Sequence, residues 1–158
     1  SSKRREFNVY TTIEEILNTL HHQVRNTKIH CNIHGDNTLT MDSFPGPFGQ
    51  VITNLFGNAI AHAFEGTDEG EINITYKKSN HNLVLEFSDN GCGISAENID
   101  KIMLPFFTTN RGNGGTGLGM SIVYNLITEQ LKGSIEIKSE LGKGIQVLIE
   151  CPLVRLPE

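Results

Sequence analysis

Apolar positions along this chain follow two periods, and the switches between them mark its elements. Phe7, Val9 and Tyr10 predict a short opening strand. Ile13, Ile16, Leu17, Leu20 and Val24 then keep a helical spacing, with Thr11 or Thr12 as N-cap and Glu14 and Glu15 in the first turn, so a helix is predicted to run to about Arg25. Ile29, Cys31 and Ile33 alternate with polar residues and predict a strand ending at Gly35-Asp36, and Leu39 and Met41 mark a further extended piece. Pro45 and Pro47 suit the first turn of a helix whose stripe, Val51, Ile52, Leu55, Phe56, Ala59 and Ala63, reaches about Phe64. After a loop over 66–70, alternation returns in Ile72, Ile74 and Tyr76 and again in Leu83, Leu85 and Phe87, a hairpin with Ser79-Asn80 at its turn.

Ser95 is placed to cap a short helix through Asn98, Ile99 and Ile102, and residues 105–115 read as a long irregular loop. Thr116 opens a third long helix through Leu118, Ile122, Val123, Leu126, Ile127 and Leu131, which Gly133 stops. Ile135 and Ile137, then Ile145, Val147 and Ile149, close the chain as two strands joined around Gly142 and Gly144. The order predicts an α+β fold: a two-layer α/β sandwich with a mixed, mostly antiparallel sheet packed on three helices.

Bulk properties narrow the choice of function. A length of 158 residues suits one domain with a real core. The net charge of -5, with no Lys/Arg stripe, argues against nucleic acid as the main partner. No apolar stretch is long enough to span a membrane, and no signal peptide is visible. Cys31, Cys92 and Cys151 are too far apart for a zinc site or a disulfide framework, which points to a reducing compartment. His21 and His22, adjacent on a helix, read as an exposed face. The chain starts at Ser1 without Met. That start leads us to expect an excised piece of a longer protein: a linker or expression remnant at 1–6, one domain at 7–152 and a tail at 153–158.

Three constellations carry chemistry. Asn54, Asn58 and His62 stand four residues apart on one predicted helix. An amide is a neutral oxygen donor that suits a Mg²⁺ ion keeping most of its waters, and an imidazole one turn on can reach phosphate oxygens. A plain solvent-facing stripe is the alternative. Asp89 ends a strand and is followed by Gly91 and Gly93. A carboxylate there can accept from an exocyclic amine while the glycines let a flat ring approach, although an ordinary turn has the same pattern. Finally Gly112, Gly114, Gly115, Gly117 and Gly119 put five glycines into eight residues at a helix start, where backbone N–H groups make an anion site. Gly112, Gly114 and Gly117 also spell G-x-G-x-x-G, but no buried strand precedes them as a dinucleotide fold requires. The Walker lysine motif and the protein-kinase H-R-D and D-F-G signatures are absent.

In this order the residues resemble the catalytic and ATP-binding domain of bacterial sensor histidine kinases, the Bergerat fold shared with gyrase, Hsp90 and MutL. Asn54-Leu55-Phe56-Gly57-Asn58-Ala59 looks like the N box, Asp89-Asn90-Gly91-Cys92-Gly93-Ile94 like the G1 box, and Pro105-Phe106-Phe107-Thr108-Thr109 like the F box. Gly114-Gly115-Thr116-Gly117-Leu118-Gly119-Met120-Ser121-Ile122-Val123 looks like the G2 box. Each box alone is weak; four in order, over nearly the whole chain, are strong.

The resemblance implies ATP and Mg²⁺ as cofactors, with Asn58 holding the metal and Asn54 and His62 assisting at the phosphates. Asp89 would receive the adenine amine, beside Gly91, with Gly93 and Ile94 lining the ring. Residues 106–119 would form a lid contributing Phe106, Thr108, Thr109 and Gly115, with Thr116, Gly117, Leu118 and Gly119 at the phosphates. The lid is expected to be anchored at 117–120 and mobile over 107–115 without nucleotide. No catalytic residue beyond the ATP site is assigned. One departure stands out: many relatives carry Thr after the last G-x-G, whereas Gly142-Lys143-Gly144 is followed here by Ile145.

Relatives that hydrolyse ATP place a Glu where this chain has Asn54, and an amide cannot accept the proton of water. The resemblance therefore implies transfer of the γ-phosphate to a histidine on a separate dimerisation and phosphoacceptor domain, with a response regulator downstream. His22 lacks the acidic neighbour and downstream proline of such an acceptor. A nucleotide-sensing module without transfer, and a serine kinase of the anti-sigma type, are the alternatives. The fragment is expected to be a monomeric cytoplasmic domain, and its parent a homodimer open to anchoring in the bacterial inner membrane.

Overall fold

The computed structural model describes residues 3–102 and 119–157. Strand β1, Arg5–Asn8, leads directly into helix α1, Val9–Leu20, which relaxes into a 3₁₀ turn at His21–Gln23. The N-cap is Asn8, whose side-chain oxygen accepts from the Thr11 N–H at 2.8 Å, and not Thr11 or Thr12. Val9 explains the shift. It is fully buried and shares the helical stripe with Ile13, so the apolar period begins four residues earlier than its β-branched neighbourhood suggests.

Strands β2, Lys28–His34, and β3, Thr40–Ser43, follow, then α2, Pro45–Asn58, which continues as a π-helical segment at Ala59–Ala63. Strands β4, Glu69–Ser79, and β5, Asn82–Asp89, form the expected hairpin, turning at Asn80 with φ of 56°. A short α3, Ala96–Ile99, precedes the undescribed stretch. Helix α4, Gly119–Asn125, extends as a π-helical segment at Leu126–Gln130, and β6, Ser134–Ser139, and β7, Ile145–Pro152, close the fold.

The main sheet has the order β2-β4-β5-β7-β6, parallel between β2 and β4 and antiparallel elsewhere. One face, with Ile72, Ile74, Leu83, Leu85, Phe87, Val147 and Ile149, is buried, and the helices contribute Ile13, Val51, Ile52, Leu55, Phe56, Val123 and Ile127 to the same core. This is the predicted two-layer α+β sandwich. Its stability rests on apolar burial between the layers, worth ~25 cal/mol per Å² of area removed from water.

A second sheet did not follow from periodicity. β1 pairs antiparallel with β3, Arg5 opposite Ser43 and Glu6 opposite Asp42, and Arg4 reaches the Asp42 carboxylate at 2.9 Å. The chain after β7 then runs parallel to β3: Asp42 N–H donates to Leu153 O at 2.8 Å, and Arg155 N–H to Asp42 O at 2.7 Å. The packed unit so reaches beyond 7–152 at both ends, through pairings between segments distant in sequence. Arg155 is 9% exposed, with its Nε donating to Gln130 O at 3.1 Å and its guanidinium 5.8 Å from the Phe44 ring centroid. It thereby caps a helix C-terminus and leans on the residue that starts α2. Arg155→Ala is expected to lower stability by about 2 kcal/mol, read as a drop in the thermal midpoint. An unchanged midpoint would show that the C-terminal run merely lies on the surface.

Gly133 ends the third helix, but not by adopting a left-handed conformation. Lys132 takes that position, with φ of 56°. What Gly133 supplies is closeness: a Cβ there would lie 2.2 Å from Glu150 O on β7.

Candidate functional site

The site is built along the C-terminal half of α2 and its π-helical extension. Asn54 and Asn58, together with Leu20, Gln23, Thr53, Gly57 and Ile122, line a cavity of about 300 Å³ between α1, α2 and α4. Gln50, one turn before Asn54, donates its Nε2–H to Asn54 Oδ1 at 2.7 Å. The Asn54 oxygen is therefore engaged, and its NH₂ donor is the group left to meet a ligand. Gln50 escaped sequence reasoning, although its i,i+4 spacing from Asn54 was the available signal.

Beyond Asn58 the helix widens from i→i+4 to i→i+5 bonding, so the regular four-residue stripe ends there and His62 sits on the wider turn. His62 is half-buried and its Nδ1 is buried without a partner among the described residues. Burial holds its pKa below the ordinary imidazole range, opposed by the charge of Glu65. A buried imidazole of this kind resists protonation.

The carbonyls at this helix end are taken up by the loop after β5. Cys92 N–H donates to Ala63 O at 2.7 Å, and the Cys92 thiol to His62 O at 3.3 Å. Burial pushes that thiol pKa up, so it stays a protonated donor. Gly91 makes this approach possible, since a Cβ there would sit 2.2 Å from Ala63 O. Contacts between segments some thirty residues apart thus join the stripe of Asn54 and Asn58 to the Asp89 loop.

Asp89 is the last residue of β5 and only 7% exposed. Its Oδ1 accepts from the Gly91 N–H at 2.9 Å, whereas Oδ2 is buried and has no partner among the described residues. Burial raises its pKa, with the backbone N–H groups of Gly91 and Ile145 pulling the other way. A buried acceptor without a donor costs about 1–3 kcal/mol, and a ligand that brings a donor recovers that cost.

The turn joining β6 and β7 backs this loop. Gly142 N–H donates to Cys92 O at 2.7 Å, and Ile94 N–H to the Ser139 hydroxyl at 2.8 Å. Gly93 and Gly144 both have positive φ, 73° and 79°, and a Cβ on either would strike backbone, Glu140 O at 2.0 Å or Asp89 O at 1.9 Å. Sequence reasoning missed Ser139. Its partners lie forty-five and five residues away and meet only because β6 folds back on β7.

The structure thus joins Asn54, Asn58 and His62 on one rod to Asp89, Gly91, Gly93 and Ile94 in the loop at its end. Gly119 begins α4. Phe106, Thr108, Thr109, Gly115, Thr116, Gly117 and Leu118, and the expected anchored and mobile parts of the lid before Gly119, lie outside the described residues. Among the described residues, no group of three His, Cys, Asp or Glu side chains gathers to form an all-protein metal cage.

Comparison with known proteins bears on this arrangement. The sequence profile of the histidine kinase-, DNA gyrase B-, and HSP90-like ATPases matches residues 45–155. The chain is 31% identical over 144 residues to the sensor histidine kinase ZraS of Escherichia coli (strain K12), covering 90% of this chain but 30% of that protein. Among solved structures, the nucleotide-free catalytic domain of histidine kinase ThkA superposes with a TM-score of 0.84 at 28% identity, over 96% of this chain and 97% of that one. ThkA in complex with the response regulator protein TrrA gives a TM-score of 0.77 at 28% identity, over 94% of this chain and 41% of that one. The chain spans less than a third of the length of its curated relative.

Proposed function

Because the chain belongs to the family of histidine kinase-, DNA gyrase B- and HSP90-like ATPases, and is within it an ATP-binding catalytic domain of the sensor histidine kinase type, we propose that Asp89 receives the adenine amine and that Asn54, Asn58 and His62 face the triphosphate. One observation carries this: Asp89 Oδ2, buried and without a partner among the described residues, stands in a loop hydrogen-bonded to the end of the same rod that presents the two asparagines. The Oδ2 oxygen suits an N–H donor such as the exocyclic amine of adenine, and the glycines beside it let the loop pack against the end of the rod that carries the asparagines.

Mg²⁺ fits the donor set. Asn58 would hold the ion through its neutral amide oxygen, compatible with an ion that keeps several waters and takes phosphate oxygens from the nucleotide, and the ion would supply charge neutralisation at the phosphates. The protein's own groups then do the positioning. Asn54, its oxygen held by Gln50, offers its NH₂ to an anionic oxygen. No carboxylate stands at position 54 to take a proton from water, which favours transfer to an acceptor over hydrolysis.

The acceptor we propose is a histidine on a separate dimerisation domain of the parent, which would pass the phosphoryl group to a response regulator. Among the described residues, no helix is long and apolar enough to cross a membrane, and a membrane anchor of the parent would lie in a different segment. Labelled ATP and Mg²⁺ incubated with the chain alone, and with the parent's phosphoacceptor domain, test the reading. Acid-labile label is expected on the phosphoacceptor domain only, and strong label on the isolated chain would overturn the division of labour. In the same assay Asn58→Ala is expected to cut transfer at least about tenfold and to remove the Mg²⁺ dependence of ATP affinity. Transfer that survives the substitution would place the metal ligand elsewhere.

A further inference from the structure

We infer that Ser139 is a positioning residue for base recognition, acting as a clasp that holds the Asp89 loop from behind. The inference rests on the reading of that loop as the adenine socket. The Ser139 hydroxyl works in both directions. It accepts from Ile94 N–H at 2.8 Å and donates to Gly144 O at 2.6 Å, both in half-buried surroundings. One rotor therefore ties three segments: the end of β6, the loop that carries Gly91, Gly93 and Ile94, and the glycine turn that opens β7. Its use of both lone pair and proton leaves little freedom in χ1.

The placement has a further consequence. Ser139 and Ile145 are direct cross-strand partners. Position 145, next to Asp89 across the β5–β7 ladder, carries no hydroxyl in this chain. The hydroxyl that serves the loop comes instead from the neighbouring strand, and it acts on the loop backbone. Asp89 Oδ1 is already held by Gly91 N–H, so the direction of the free Oδ2 depends on where the loop backbone sits. The backbone has no slack here: Gly93 passes Glu140 O and Gly144 passes Asp89 O at distances that no Cβ could tolerate. Without the clasp, Ile94 N–H loses its acceptor and Gly144 O its donor, and the loop gains arrangements in which Oδ2 no longer meets the base. Affinity falls by the fraction of time spent in those arrangements.

Titration calorimetry with ADP and with GDP on the whole chain tests this. ADP binds tighter than GDP in the unaltered chain on this account. Ser139→Ala is expected to weaken ADP binding about tenfold while leaving GDP within about twofold, so that base discrimination collapses. Ser139→Thr, which restores the hydroxyl, should keep ADP affinity within about twofold, and Ser134→Ala, at the far end of the same strand, should change neither ligand. Should Ser139→Ala fail to fold, Ser139→Cys, with its weaker donor and acceptor, is read instead and should show a partial loss confined to ADP. ADP affinity unchanged in Ser139→Ala, or equal losses for both nucleotides, would overturn the clasp. An unaltered chain that binds neither nucleotide would overturn the clasp together with the reading of the site beneath it. Binding lost in Asp89→Asn but retained in Ser139→Ala would remove the clasp alone.

Discussion

Asp89→Asn is expected to weaken ATP binding by about a hundredfold or more and, in the same protein, to raise the thermal midpoint of the nucleotide-free chain near neutral pH. The two effects share one cause. Asp89 is 7% exposed, its Oδ1 is committed to the Gly91 N–H, and its Oδ2 makes no hydrogen bond among the described residues. Because Gly91 N–H needs an acceptor, an asparagine must keep its oxygen there and turn its NH₂ to where Oδ2 was. That opposes a donor to the adenine amine and removes a hydrogen bond to a charged acceptor, worth about 1.5–3 kcal/mol before the repulsion is added.

Stability moves the other way. Burial raises the Asp89 pKa in the folded state above its unfolded value. Folding therefore takes up a proton in the window between the two. The contribution of this group is full below the ordinary carboxylate pKa and is lost as pH rises through the raised folded value. Above the ordinary carboxylate pKa the unaltered chain loses stability to the burial of this titrating group, and the amide, which does not titrate, does not. The gain from Asp89→Asn should thus be largest near neutral pH and shrink as the buffer approaches the carboxylate range. Thermal unfolding across pH, together with nucleotide titration, checks both halves. An asparagine variant that binds ATP like the unaltered chain would remove Asp89 from the base site.

Gly144→Ala is expected to destabilise the fold by about 3–5 kcal/mol, enough to consume much of the stability of a domain of this size. Two costs coincide. The residue has φ of 79°, and its Cβ would lie 1.9 Å from Asp89 O and 2.9 Å from Asn90 Cα, which are backbone atoms of the adjacent strand end and cannot rotate aside. A left-handed non-glycine residue costs about 1–3 kcal/mol, and overpacking adds a similar amount. Gly142 provides the internal comparison. It has φ of 81° but open space around its Cβ. Gly142→Ala should cost only the conformational part, about 1–2 kcal/mol. Chemical denaturation of the two variants separates the terms, and equal losses would show that the close approach at Asp89 is not what demands glycine.

Much of the site could be read from local chemistry. The alternation in β4 and β5 puts Asp89 at the buried end of a strand, and the spacing of Asn54 and Asn58 puts two amides on one helix face. Those readings depend on side-chain direction within an element, which neighbours in sequence determine. The errors fell where local preference met a distant partner. Thr11 and Thr12 are good caps, but Asn8 caps α1, because burial of Val9 starts the helix earlier. Gly133 is a good helix terminator by type, yet the left-handed residue is Lys132, because Gly133 is held against β7.

By itself, then, the order of apolar and polar residues determined the two layers, the strand alternation, the stripe of amides and the glycine-flanked aspartate, since each is a relation among residues a few positions apart. Only the tertiary structure decided the rest. It paired β1 with β3 and laid the chain around Arg155 beside them. It widened α2 after Asn58 and set its last carbonyls on the Asp89 loop. It buried one oxygen of Asp89 without a partner among the described residues, and it brought Ser139 across from β6 to hold the loop. Each of these depends on distances closed by sheet pairing and helix packing between segments remote in sequence, a quantity that no local period encodes.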